Sequence, residues 1–153
     1  MTVPTAFETW GFTGTRYDVT DAQLAWVYTE LEDHRPAAVH HGACTGADLA
    51  VHQACLDMGI PMHVWPPINF KWLAAQCLTP HSLVMVHPRM HYLPRDREIV
   101  RAATILKALP KQEEQPDPMH WGGTWYTVDF ARRVRKPIDI CYPSGRVEKR
   151  RDT

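Results

Sequence analysis

The chain has 153 residues, enough for one domain with a substantial core and too few for two ordinary ones. Its 17 basic and 17 acidic residues cancel, so no global field gathers nucleic acid, although a local basic groove stays open. It has no apolar run of about 18 residues, and residues 1–10 combine neither a basic start nor an apolar stretch. Neither a membrane span nor a secretory signal is therefore expected, and the expected location is cytoplasmic.

In chain order, residues 10–13 read as a first strand because a glycine turn and a strong helix follow. That helix opens with a capping box, Thr20 and Gln23, carries Leu24, Val27, Tyr28 and Leu31 at helical spacing, and stops before Pro36. Residues 37–41 form a second strand. The next helix has a small-residue stripe, Ala47, Ala50, Val51, Ala54, Cys55 and Met58, and ends at Gly59. Residues 61–65 are a third strand stopped by Pro66 and Pro67. The signal then weakens: residues 69–78 read as a short helix, and residues 83–86 as a strand or a buried loop. A helical turn or two over 95–101 leads to a fourth strand, 104–109, and a polar loop, 111–119, bordering the pocket. A helix over 124–135 ends in Arg132, Arg133, Arg135 and Lys136, suited to its negative end, before a fifth strand over 138–142. The expected fold is α/β: one Rossmann-like, doubly wound parallel sheet of about five strands with helices on both faces, spanning 1–143, followed by a basic, flexible tail over 144–153.

Three glycine turns fall where strands hand over to helices: Gly11 to Arg16, Gly42 to Asp48, and Trp121 to Trp125. Amides in the first turn of a helix lack internal partners and lie at the positive end of its dipole, so such turns suit phosphate. In the first turn the candidates are Gly14, Thr15 and the forked donor Arg16. The second offers Gly42, Thr45, Gly46, Ala47 and Asp48, the last as an acceptor for ribose hydroxyls, and the third offers Gly122, Gly123 and Thr124. Trp10, Tyr92, Trp121, Trp125 and Tyr126 are candidate stacking surfaces for a base. Cys44, ahead of a helix, is a candidate for a lowered thiol pKa, with at most one of His40 and His41 able to face it. The four cysteines form no Cys-x-x-Cys pair and are expected as buried, reduced thiols. His87 and His91 have i, i+4 spacing, but Pro88 lies between them and no glutamate follows His87, so no metal site is expected.

Gly-Phe-Thr-Gly-Thr-Arg at 11–16, Gly-Ala-Cys-Thr-Gly-Ala-Asp at 42–48, Tyr-Leu-Pro-Arg-Asp-Arg at 92–97 and Gly-Gly-Thr-Trp at 122–125 together resemble the ordered motifs of the SLOG superfamily. The match is nearest to its YspA/YpsA-related branch and covers residues 10–143. The resemblance implies a Rossmann-like domain that binds a nucleotide or nucleotide-derived ligand, including NAD-derived ones, as sensor or carrier, with no further cofactor. Superfamily members include the Lonely Guy phosphoribohydrolases and the DNA-processing protein. By resemblance to the former, Arg95 falls on their catalytic arginine, Ile99 on the methionine four residues later, and Asp129 on the glutamate of their glycine motif. Trp121 stands where they have proline, Trp125 and Tyr126 where they have Gly-Thr, and Asp96 where they have lysine. A nucleoside 5′-monophosphate N-glycosidase using Arg95 and Asp129 is thus the alternative, the aspartate stabilising an oxocarbenium-like sugar. A single-stranded DNA-binding module is a further alternative, supported by the arginines at 132–135 and opposed by the zero net charge. A small-molecule nucleotide is the expected partner, nucleic acid and membrane are not, and a homo-oligomer is expected because related folds dimerise and Trp26, Trp65 and Trp72 exceed what one core accommodates.

Overall fold

The structure is a computed structural model that describes residues 8–151. Seven strands form one sheet among the described residues: β1 (Thr9–Gly14), β2 (Ala38–His41), β3 (Met62–Val64), β4 (Val84–Val86), β5 (Ile105–Leu109), β6 (Ile138–Cys141) and β7 (Val147–Arg150). Their spatial order is β4-β3-β2-β1-β5-β6-β7, parallel except for antiparallel β7. Four α-helices connect them: α1 (Asp21–His34), α2 (Ala47–Met58), α3 (Tyr92–Ala102) and α4 (Gly123–Arg133). Alternation along β5 shows the two covered faces. Ile105 and Leu109 pack with Val27 and Leu31 of α1 and Val51 and Ala54 of α2. Leu106 and Ala108 pack with Val100 of α3 and Trp125, Val128 and Ala131 of α4.

Local chemistry explains where the helices begin and end. The Thr20 side chain accepts from the Gln23 amide while the Gln23 side chain accepts from the Thr20 amide, which closes the expected capping box. Gln23 does more than cap. Its buried Nε2 donates to the carbonyls of Pro110 and Cys141, tying α1 to the carboxyl ends of β5 and β6. Gly59 ends α2 in the left-handed region at φ 72°.

Seven strands replace the five expected. β4 resolves the alternative at 83–86 in favour of a strand, and it is exposed, with Met85 at 56% and Val86 at 46%. β7 lies within the stretch expected to be a flexible tail. Gly145, at φ 93°, turns the chain back, Gly145 N donates to Tyr142 O, and Val147–Arg150 then pairs with β6. Three consecutive charged residues, Glu148, Lys149 and Arg150, conceal such an edge strand, because it has no apolar face to betray it. The helix expected over 69–78 contracts to a 3-10 turn at Ala75–Leu78.

Candidate functional site

Between β2 and β5 lies β1, where the strand order reverses, and in open parallel sheets ligands gather beyond the carboxyl ends at that crevice. A cavity of about 360 Å³ sits there. All three glycine turns reach it: Gly14, Thr15 and Arg16 from the first, Gly42, Cys44 and Asp48 from the second, and Trp121 to Trp125 from the third. Arg95 and Asp96 of α3 and the loop residues Lys111 and Gln112 complete it.

The turns do not play equal parts. Thr45, Gly46 and Ala47 are absent from the cavity wall and instead lock the second turn to the first. The Ala47 amide donates to Thr15 O at 2.9 Å, Thr45 Oγ1 donates to Arg16 O at 2.9 Å, and the Thr45 amide donates to Trp72 O at 2.8 Å. Gly46 has φ 83°, and a Cβ there would lie 2.3 Å from Tyr17 O, so only glycine permits the approach. Asp48 occupies the position expected for an external anion. Its carboxylate accepts the Cys44 amide at 3.1 Å and also interacts with the Gly42 amide. Burial pushes its pKa up to about 6, against the opposing pull of Arg95 and those amides.

Arg95 is buried at 5% exposure and largely committed to the protein. Nε donates to Asp96 Oδ1 at 2.7 Å, while Nη1 donates to Gly42 O at 2.6 Å and Trp65 O at 3.1 Å. A Cβ on Gly42 would fall 2.3 Å from Nη1, so this glycine serves the passage of the arginine. Arg16 is held differently: its guanidinium lies 4.7 Å from the Tyr92 ring centroid and 5.5 Å from that of Trp72. Among the described residues, no carboxylate pairs with Arg16 or Lys111, and both line the cavity. At the third turn Gly122 caps α4 without a side-chain partner, and among the described residues no hydrogen bond is made by the amides of Gly123, Thr124 and Trp125. A Cβ at Gly122 or Gly123 would meet nothing within 4 Å. This is the open, donor-rich end of the site.

Several expected roles change. Asp129 does not line the cavity: further along α4 than the turn that does, it is held by Arg132 and Arg133, each at 2.9 Å. The carboxylate beside Arg95 is Asp96, whose pKa burial raises although Arg95 opposes the shift. Trp10 (0%) and Trp125 (1%) are core residues and cannot stack a ligand; Trp125 Nε1 donates to Gln112 Oε1. Trp121 does line the cavity, with Nε1 tied to Pro116 O and Tyr126 set edge-on against it. Tyr17 and Trp72, edge-to-face at 5.7 Å, supply aromatic surface that sequence reasoning missed. Trp72 lies where the sequence pattern was weakest, and Tyr17 follows Arg16 without a motif of its own.

All four cysteines are buried and free. Burial and the Asp48 carboxylate push the Cys44 thiol up to about 11, which overturns the expectation of a lowered pKa. Neither adjacent histidine pairs with it. His41 lies 2.9 Å from His52 Nδ1, and His40 stacks on His63 at 4.6 Å between ring centroids. His41, His52 and Cys77 bring metal-type donor atoms within 4.8 Å of one another. The Ala43 amide donates to His41 Nδ1 at 3.0 Å, which fixes the proton on Nε2, the ring atom that faces His52.

No protein-family model matches the sequence, and no curated protein matches it. Solved structures do. DNA processing protein A from Streptococcus pneumoniae superposes with a TM-score of 0.66 at 18% identity, covering 88% of this chain and 50% of that one. This chain therefore spans about half the length of that protein. The molybdenum cofactor binding protein from Rippkaea orientalis gives 0.62 at 15% identity, covering 89% and 77%. DNA processing protein A from Helicobacter pylori gives 0.62 at 15%, covering 92% and 78%. The chain thus shares the fold of these proteins, in keeping with the Rossmann-like domain that the order of its motifs implied. Among the described residues, no helix is long and apolar enough to cross a membrane.

Proposed function

We propose that this protein binds a phosphorylated nucleoside or a nucleotide-derived ligand in the cavity beyond β1 and β5, as a sensor or carrier. One observation carries the reading: Arg16, Lys111 and the uncapped start of α4 face the same cavity, and no described carboxylate pairs with either cation. Unneutralised donors gathered in a concave site are arranged for an anion. The aromatic surface of Tyr17 and Trp72 beside them suits a base, and the buried Asp48 and half-buried Asp96 supply acceptors that suit hydroxyls of a sugar. That a structural neighbour is a molybdenum cofactor binding protein supports a carrier reading on this fold. The glycosidase alternative loses support, since Asp129 stands outside the cavity.

Calorimetry across nucleoside monophosphates, dinucleotides and ADP-ribose derivatives tests the proposal, alongside mass spectrometry of small molecules that co-purify with the protein. Saturable binding by at least one phosphorylated nucleoside, lost on Arg16→Ala, is expected. Absence of heat across the panel together with absence of a co-purifying ligand refutes it.

A further inference from the structure

A second concave feature lies at the other end of the sheet. Its lining is Arg132, Arg133, Arg135, Lys136, Ile138, Arg150 and Arg151, six cations around one apolar residue, enclosing about 560 Å³. Ile138 is the first residue of β6 and Arg150 is its cross-strand partner in antiparallel β7. The cleft therefore opens at the amino ends of the parallel strands, whereas the nucleotide cavity opens at their carboxyl ends.

Two separate elements supply the charge. The end of α4 contributes Arg132, Arg133 and the residues just after it, and the end of β7 contributes Arg150 and the adjoining Arg151. A helix C-terminus attracts cations to its own negative end, which accounts for the first group and not for the second. No described carboxylate lines the cleft. Two of the acids that anchor these guanidiniums lie behind them, Asp129 and Asp139 being 12% and 3% exposed against 67%, 70% and 42% for Arg132, Arg133 and Arg151, while Glu148, 37% exposed, pairs with Arg150 at 2.7 Å. Arg132 and Arg133 share the single carboxylate of Asp129, and Lys136 Nζ donates to the Ala103 and Arg101 carbonyls instead of an acid. The cleft thus keeps a positive surplus in a chain whose total charge is zero.

We propose that this cleft binds the phosphodiester backbone of a nucleic acid, independently of the nucleotide cavity. Repeated phosphates match a row of guanidiniums drawn from two walls, and each forked donor can take a phosphate side-on. No described aromatic residue lines the cleft, so bases have no stacking platform and binding is indifferent to sequence. A bilayer is disfavoured as the occupant because the apolar floor, Ile138, is 2% exposed and offers nothing to insert.

The test is fluorescence anisotropy of a labelled oligothymidylate of about 20 nucleotides, long enough to exceed one binding site, titrated with the full chain at low and moderate salt. Binding is expected to weaken roughly fifty-fold between about 50 and 200 mM salt, as for about four neutralised phosphates on a single strand. Arg132→Ala with Arg133→Ala lowers affinity at least about tenfold and flattens the salt slope, while circular dichroism reports a folded chain. Arg16→Ala, at the other end of the sheet, keeps wild-type affinity for the oligonucleotide. Unlabelled inorganic polyphosphate, which shares only the phosphates, displaces the probe. The proposal is overturned by absence of binding at low salt, by an unchanged double variant, by loss of binding in Arg16→Ala, or by capture on anionic vesicles without oligonucleotide binding. Because Arg16 and the Arg132/Arg133 pair are read out separately, failure here leaves the nucleotide-cavity reading standing, and the converse also holds.

Discussion

Individual side chains in the cavity divide into those committed to the protein and those left for a ligand. Arg95, the more conspicuous arginine by sequence motif, spends its donors on Asp96, Gly42 O and Trp65 O, whereas Arg16 retains its fork. Arg16→Ala is therefore expected to weaken nucleotide binding by about 2 kcal/mol, roughly thirty-fold, with little change in melting temperature. Arg95→Ala is expected to do the reverse and chiefly destabilise, since it removes the cation beside Asp96 and the donor to Gly42 O and Trp65 O. Parallel calorimetry and thermal melts separate the two outcomes. Asp48 sets a pH dependence. Its carboxyl has an ordinary value of 3.8 and is raised to about 6 by burial, so the folded state favours the protonated acid. Its contribution to stability is complete below the ordinary value and is lost as pH rises through about 6, at most about 3 kcal/mol. Urea titrations at several pH values across that window should show the wild type losing stability relative to Asp48→Asn as pH rises.

At the scale of elements, glycines with the same appearance in the sequence have opposite duties. Gly46 lets the start of α2 press against the first turn with φ 83°, where an added Cβ would come within 2.3 Å of Tyr17 O, while Gly123 opens α4 onto empty space. Gly46→Ala is expected to cost more than about 2 kcal/mol in denaturant unfolding, from the left-handed backbone and the overlap combined. Gly123→Ala is expected to hold or slightly raise stability, by up to about 1 kcal/mol, because it removes unfolded-state freedom at an unhindered position. It should nonetheless weaken ligand binding by crowding the amides at the head of α4. Measuring stability and affinity on both variants checks whether the second turn is a clasp and the third a receptor.

Across the whole molecule, Lys107 joins the layers. It is 2% exposed on β5, with Nζ 2.9 Å from Glu30 of α1 and 3.0 Å from Asp139 of β6, and 3.9 Å from the Trp10 ring centroid. Burial opposes ionisation of Asp139, yet Lys107 and Arg151 outweigh it and hold its carboxyl below the usual range. Lys107→Ala is expected to cost about 3–5 kcal/mol by stranding these acids, and Lys107→Met less than that because the ring contacts are partly refilled. Chemical denaturation of both variants tests the order. Asp139 contributes stability that is lost as pH falls through its depressed folded value, the opposite sign to Asp48.

Periodicity and capping chemistry made the alternating strands and helices legible in the sequence. The Thr20 and Gln23 box, the stripe of α2 and the left-handed Gly59 depend on residues within a turn or two of each other. The convergence of the glycine turns on one edge also follows from that alternation, because parallel crossovers return every strand end to the same side. What remained hidden depends on contacts between distant positions. Only packing could set Asp129 outside the cavity or bring Tyr17 and Trp72 together. Pairing with β6 likewise makes an edge strand of a polar segment whose own propensity is weak. A total charge of zero contains no information about where charges sit, and the fold alone places one group of arginines beside another, well separated from it in the chain, to form a basic cleft.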